Sequence, residues 1–71
     1  MSKTLEELGY QKLECEDYVA FGGRDKEILF DKQKKEFTGE KFVSNGIFVI
    51  PAFTMEELKA IYKWCEDNKW I

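Results

Sequence analysis

The sequence predicts an α+β domain: a short N-terminal helical turn, an antiparallel meander of four or five strands, and one C-terminal amphipathic helix packed on one sheet face. Three observations carry this. From Phe53 to Asn68, apolar residues recur at helical spacing behind a strong cap signal. From Gln11 to Thr38 the apolar period is two, broken by tight-turn residues. Asn45-Gly46 then separates two apolar runs, a strong hairpin signature because both turn positions need positive φ.

In chain order, Thr4-Leu5-Glu6-Glu7-Leu8 has the spacing of a capping box, and Gly9 supplies its stop. Leu13 and Cys15 alternate with Lys12 and Glu14 in a first strand, and Glu16-Asp17 reads as a turn. Tyr18–Phe21 forms the second strand, closed by Gly22-Gly23-Arg24-Asp25. Lys26–Asp31 forms the third, followed by a polar turn at Asp31-Lys32-Gln33-Lys34. Lys35–Thr38 is a weaker strand around Phe37, expected to break at Gly39. Lys41–Ile50 reads as a hairpin; its alternative is a long loop in which only Ile47–Ile50 is a strand. Alternation places Val19, Phe21, Ile28, Phe30 and Phe37 toward the helix, with Tyr18, Ala20 and Leu29 on the open face.

The C-terminal helix has the clearest boundaries. Thr54 and Glu57 form a second capping box, and Phe53 and Leu58 have hydrophobic-staple spacing. Leu58, Ile61, Tyr62 and Cys65 make the expected buried stripe, flanked by Met55 and Trp64. Asn68 is expected in the left-handed position after the helix, with Trp70 and Ile71 folded back. On this reading Leu58→Ala should cost roughly 2–5 kcal/mol and loss of the Thr54 cap about 1 kcal/mol.

At 71 residues the chain is a single small domain whose core rests on six Phe, three Tyr and two Trp. It has no histidine, which removes the commonest general base and any Ser-His or Cys-His pair. Phe21-Gly22-Gly23-Arg24-Asp25 matches no phosphate-binding pattern and reads as a turn. Glu14, Glu16 and Asp17 lack the spacing of a calcium loop. Cys15 and Cys65 lie fifty positions apart with no zinc-ligand pattern, and two buried, reduced thiols are expected. No catalytic residue, cofactor or metal is therefore expected. The net charge of −3 disfavours a nucleic-acid module. With no apolar run of membrane length and no leader pattern, the expected location is cytoplasmic, away from any membrane.

Two surfaces are candidates for binding. The first involves Trp64, Tyr18, Leu29 and Trp70, as anchors for an unidentified protein partner. Both tryptophans also fit a core edge. The open face with Tyr18 and Leu29, or the hairpin edge, also suits a second copy across a two-fold axis. The alternative is a single-stranded nucleic-acid surface built from Lys32, Lys34, Lys35, Lys41 and Phe42, where rings stack on bases and lysines meet phosphates. Asp31, Glu36 and Glu40 lie among those lysines and offset them.

Phe53-Thr54-x-Glu56-Glu57-Leu58-x-Ala60-Ile61, followed by Cys65 and Trp70-Ile71, resembles the ends of small uncharacterised proteins of phages and prophages of Gram-positive bacteria. Leu5–Tyr10 is similar to their N-terminal start, and Glu27–Asp31 to one of their strands. The chain departs from them in carrying Asn68 where many have glycine, and in the hairpin around Asn45-Gly46. The resemblance implies an accessory factor that acts by binding, and it transfers no functional residue.

Overall fold

Five strands follow one another without a crossover, each hydrogen-bonded to the next: β1 Gln11–Glu14, β2 Tyr18–Gly22, β3 Lys26–Asp31, β4 Glu36–Ser44 and β5 Ile47–Val49. All pairs are antiparallel, and one helix among the described residues, α1 Met55–Asp67, follows the sheet. These elements come from a computed structural model that describes residues 3–71.

Turn chemistry sets the register. Gly23 N–H donates to the Lys26 carbonyl at 2.7 Å and closes the β2–β3 hairpin. Asp31 Oδ1 accepts from the Gln33 and Lys34 amides at 2.9 and 3.0 Å, the side-chain turn expected of Asp here. Asn45 and Gly46 both take positive φ, +48° and +76°, so Lys41–Ile50 is a hairpin and not a loop.

Three local expectations change. Leu5–Gly9 forms hydrogen-bonded turns, not a helical element, although Thr4 and Glu7 exchange both capping contacts. Gly39 does not break β4, which runs through it; a Cβ there would collide with the Phe53 ring, so the glycine leaves room for the chain entering α1. Past the helix, Asn68 keeps φ at −95° and Lys69 takes the left-handed position at +60°. Lys69 N–H then donates to Glu66 O and Trp70 N–H to Cys65 O, the paired bonds of a Schellman motif. Trp70 folds back as expected, against Trp64 with centroids 4.9 Å apart, while Ile71 stays exposed.

The larger correction is the helix phase. The inward positions are Glu57, Ala60, Ile61 and Trp64. Cys65 is partly buried against the same core, so Ile61 and Cys65 of the expected stripe hold while Leu58 and Tyr62 turn outward, a rotation of somewhat under 100°. Trp64 stacks on the fully buried Phe30 ring at 3.8 Å and meets Phe21 edge-on. Leu58 is 49% exposed, and Met55 and Tyr62 are exposed beside it. The core joins Leu5 and Tyr10 from the N-terminal turns, Val19 and Phe21 from β2, Ile28 and Phe30 from β3, and Ala60 and Ile61 from α1.

The stability order of helix variants therefore reverses. A small domain has about 3–5 kcal/mol in hand, and removing a large ring stacked on the core costs much of that. Trp64→Ala should be largely unfolded at room temperature. Leu58→Ala should keep a cooperative melt within a few degrees of the parent. Thermal melts followed by far-UV circular dichroism check the order, and a Leu58→Ala variant as damaged as Trp64→Ala would refute the phase.

Candidate interaction face and its supporting cluster

Beneath the helix lies one buried ionic cluster, centred on Glu57. Its Oε1 accepts from Lys26 Nζ at 2.7 Å and from the Thr54 amide at 2.8 Å, and its Oε2 accepts from the Tyr10 hydroxyl. Lys26 Nζ also donates to Ala52 O at 2.9 Å and lies over the Phe53 ring. Burial pushes the Glu57 carboxyl up; Lys26, the Thr54 amide and Tyr10 pull it down further, to about 2 from an ordinary 4.5. The Tyr10 hydroxyl is pushed well above the ordinary tyrosine range, first by burial and then by Glu57. A carboxylate this acidic holds no proton at neutral pH, and a phenol this weakly acidic gives none up, so the chemistry of the cluster is to fasten three segments together.

The opposite sheet face has a different character. Strand alternation brings Leu13, Tyr18, Ala20, Leu29 and Thr38 to it, and with Glu27 and Asp31 they line a shallow hollow of about 450 Å³. Glu36 and Glu40 share this face, and Phe42 and Phe48 extend it along the hairpin, their rings 5.7 Å apart. Among the described residues, none of its strand positions carries Lys or Arg. Lys12, Lys26 and Lys41 all point to the helix side. Glu27 sits directly opposite Glu40, and Asp31 opposite Glu36. Like charges directly opposite cost stability, so the acidity of this face works against the fold.

The sequence candidates distribute unevenly over this structure. Tyr18 and Leu29 lie together on the open face, as alternation implied. Trp64 and Trp70 are on the other side, packed on Phe30, with their rings used in the core. The lysines do not form one patch. Lys32 reaches back to Glu14 and the Cys15 carbonyl, and Lys34 and Lys35 occupy the β3–β4 turn. Lys41 pairs with Asp25 about five residues further along the sheet, roughly 17 Å away at strand rise. Phe42 lies on the opposite face from Lys41. Sequence reasoning missed the Tyr10–Lys26–Glu57 cluster, whose members stand 16 and 31 positions apart. Its one legible signal was Glu57 itself, which the capping box explained without a tertiary partner.

Among the described residues there is no cluster of three metal-ligating side chains, and no helix is long and apolar enough to cross a membrane. Cys15 and Cys65 are both free thiols, and burial pushes the Cys65 thiol up.

The cluster predicts a pH dependence of stability. Because the folded pKa of Glu57 lies below its unfolded value, its contribution is complete above about pH 4.5 and is lost as pH falls from there toward 2. Melts of the parent between pH 7 and pH 2 should fall steeply in that window. Tyr10→Phe removes one donor and should lower stability by about 1 kcal/mol at pH 7. Glu57→Gln should melt lower at pH 7 and show a flatter acid limb; an unchanged acid limb would mean that the slope comes from other carboxylates.

No family model matches this chain, and neither the curated proteins nor the solved structures contain a match to it.

Proposed function

We propose that this chain is a non-enzymatic protein-binding module whose open sheet face receives a basic, apolar-bearing segment of another protein. The observation that carries the reading is the segregation of charge: Glu27, Asp31, Glu36 and Glu40 surround an apolar hollow, on a face without a basic strand position. A cationic segment would relieve the two like-charged cross-strand pairs, and Tyr18 and Phe42 offer ring faces to Lys or Arg. The hollow's Leu13, Ala20 and Leu29 would receive the apolar residues of such a segment. The rival reading, a single-stranded nucleic-acid binder, has less support because its lysines are dispersed and this face repels phosphate. The resemblance of the chain's two ends to small phage and prophage proteins suits an accessory factor acting on a host or phage protein in the cytoplasm.

Thr38 is exposed at the β4 margin of the hollow, between Glu36 and Glu40, so Thr38→Lys inserts a positive charge among the carboxylates without touching the core. Affinity capture from a Gram-positive host lysate, with proteins and nucleic acids both identified, should retain a protein bearing a basic segment. Thr38→Lys should release it, as should raising the salt to about 0.5 M, because both oppose charge attraction. Retention of nucleic acid, or a partner held equally by Thr38→Lys, would overturn the proposal.

A further inference from the structure

The two edges of the sheet are treated differently by the sequence. β1 carries Lys12 and Glu14 among its four residues, and Lys32 reaches over its end to the Cys15 carbonyl. Such charges discourage pairing with another strand. β5 and the residue after it, Ile47-Phe48-Val49-Ile50, carry no charge. β5 pairs with β4 alone, so its outer backbone groups face solvent. All four side chains are exposed, Ile50 by 93%, together with Phe42 and Val43 on the adjoining strand. An uncharged edge strand with free backbone groups is a template for pairing with another strand.

We infer that β5 pairs antiparallel with β5 of a second copy across a two-fold axis, joining two sheets into one of ten strands. The edge is self-complementary, as a two-fold contact requires. Each copy has a net charge of −3, yet the strand that would meet its own image is neutral, so pairing brings no like charges together there. From their fractional exposures and side-chain sizes, the six residues expose on the order of 700 Å², of which an edge contact covers only a part, so the pairing belongs to the small, micromolar class of interface. The ladder is short, so side chains carry most of the contact, with Phe42 and Phe48 of each copy near the axis. The exposed α1 residues Met55, Leu58 and Tyr62 are interspersed with Glu56, Lys59, Lys63 and Glu66 and make a weaker self-contact.

An antiparallel pair about an axis normal to the sheet keeps equivalent faces on the same side. Both open faces would then form one continuous acidic surface, with both helices behind it. The contact shares Phe42 and Phe48 with the face assigned to the partner, but its test reads self-association and not partner capture, so either can fail alone.

Sedimentation of the full chain from 5 to about 200 μM should show a monomer–dimer equilibrium saturating at twice the monomer mass. Phe48→Lys and Val49→Lys should sediment as folded monomers, with near-UV circular dichroism of the Trp64–Trp70 pair confirming the fold. Leu58→Lys should dimerise like the parent. In the parent itself, exchange of the outward amides of Ile47–Ile50 should slow as concentration rises. A parent monomeric throughout, a Phe48→Lys that still dimerises, a dimer lost in Leu58→Lys, or amide exchange independent of concentration would each overturn the inference.

Discussion

One carboxylate sets the arrangement of this molecule. Glu57 accepts hydrogen bonds from its own helix cap, from β3 through Lys26, and from the N-terminal segment through Tyr10. Bringing a charge out of water costs several kcal/mol unless its lone pairs are satisfied, and three donors do so here. Once Glu57 faces inward, the phase of α1 follows. Trp64, seven residues on, is carried onto Phe30, and Leu58, one residue on, is carried outward. A helix turned to bury Leu58 would leave Lys26 and Tyr10 without their acceptor and move Trp64 from its stacking partner. The cluster therefore acts mainly by selecting one packing of a helix that has two apolar stripes to choose from.

That choice marks where the sequence stops being legible. Elements fixed by local chemistry could be read: the Asn45-Gly46 hairpin, the Asp31 turn, the Thr54–Glu57 capping box and the sorting of strand residues between two faces. Each depends on partners within a few positions. The phase of α1 depends on Tyr10 and Lys26, 47 and 31 residues away, and hydrophobic periodicity counts a glutamate as solvent-facing. Gly39 reads locally as a breaker because its reason, the Phe53 ring above it, comes from another element. The shift of the left-handed residue from Asn68 to Lys69 has the same origin: the helix ends where Trp70 can reach Trp64. The candidate surfaces divide similarly. Tyr18 and Leu29 follow from alternation, while the apparent lysine cluster was a neighbourhood in sequence that antiparallel geometry pulls apart.

The charge asymmetry of the sheet has a partly structural cause. A chain of this size has material for one core, and its rings, Phe21, Phe30, Trp64 and Trp70, are gathered on the helix side. Lysines on that side have work to do there, because their long stems cross apolar surface while the ammonium reaches an acceptor, as Lys26 does at Glu57. Folding accounts for basic residues on the helix side. It accounts also for Asp31, whose side chain closes the β3–β4 turn, but not for Glu27, Glu36 and Glu40, where Thr or Gln would serve the strands at lower electrostatic cost. Residues that cost stability without a folding role are the ones on which the proposed partner contact rests.

The same reasoning applies to the hairpin edge. α1 covers β2 and β3, where Trp64 meets Phe21 and Phe30, and Phe53 packs over Gly39 in β4. β5 lies one strand beyond, and none of Ile47, Phe48, Val49 or Ile50 joins the core. Apart from the Phe42–Phe48 cross-strand pair, their apolar character is thus not required by the core, and the turn needs only Asn45 and Gly46. Pro51, buried against the sheet, limits how far the edge can extend and gives it a defined end. A neutral strand, apolar on both faces and stopped by proline, is suited to one bounded contact and poorly suited to open-ended stacking. The guarded β1 edge completes that logic, because a sheet with only one receptive edge closes as a pair and cannot propagate.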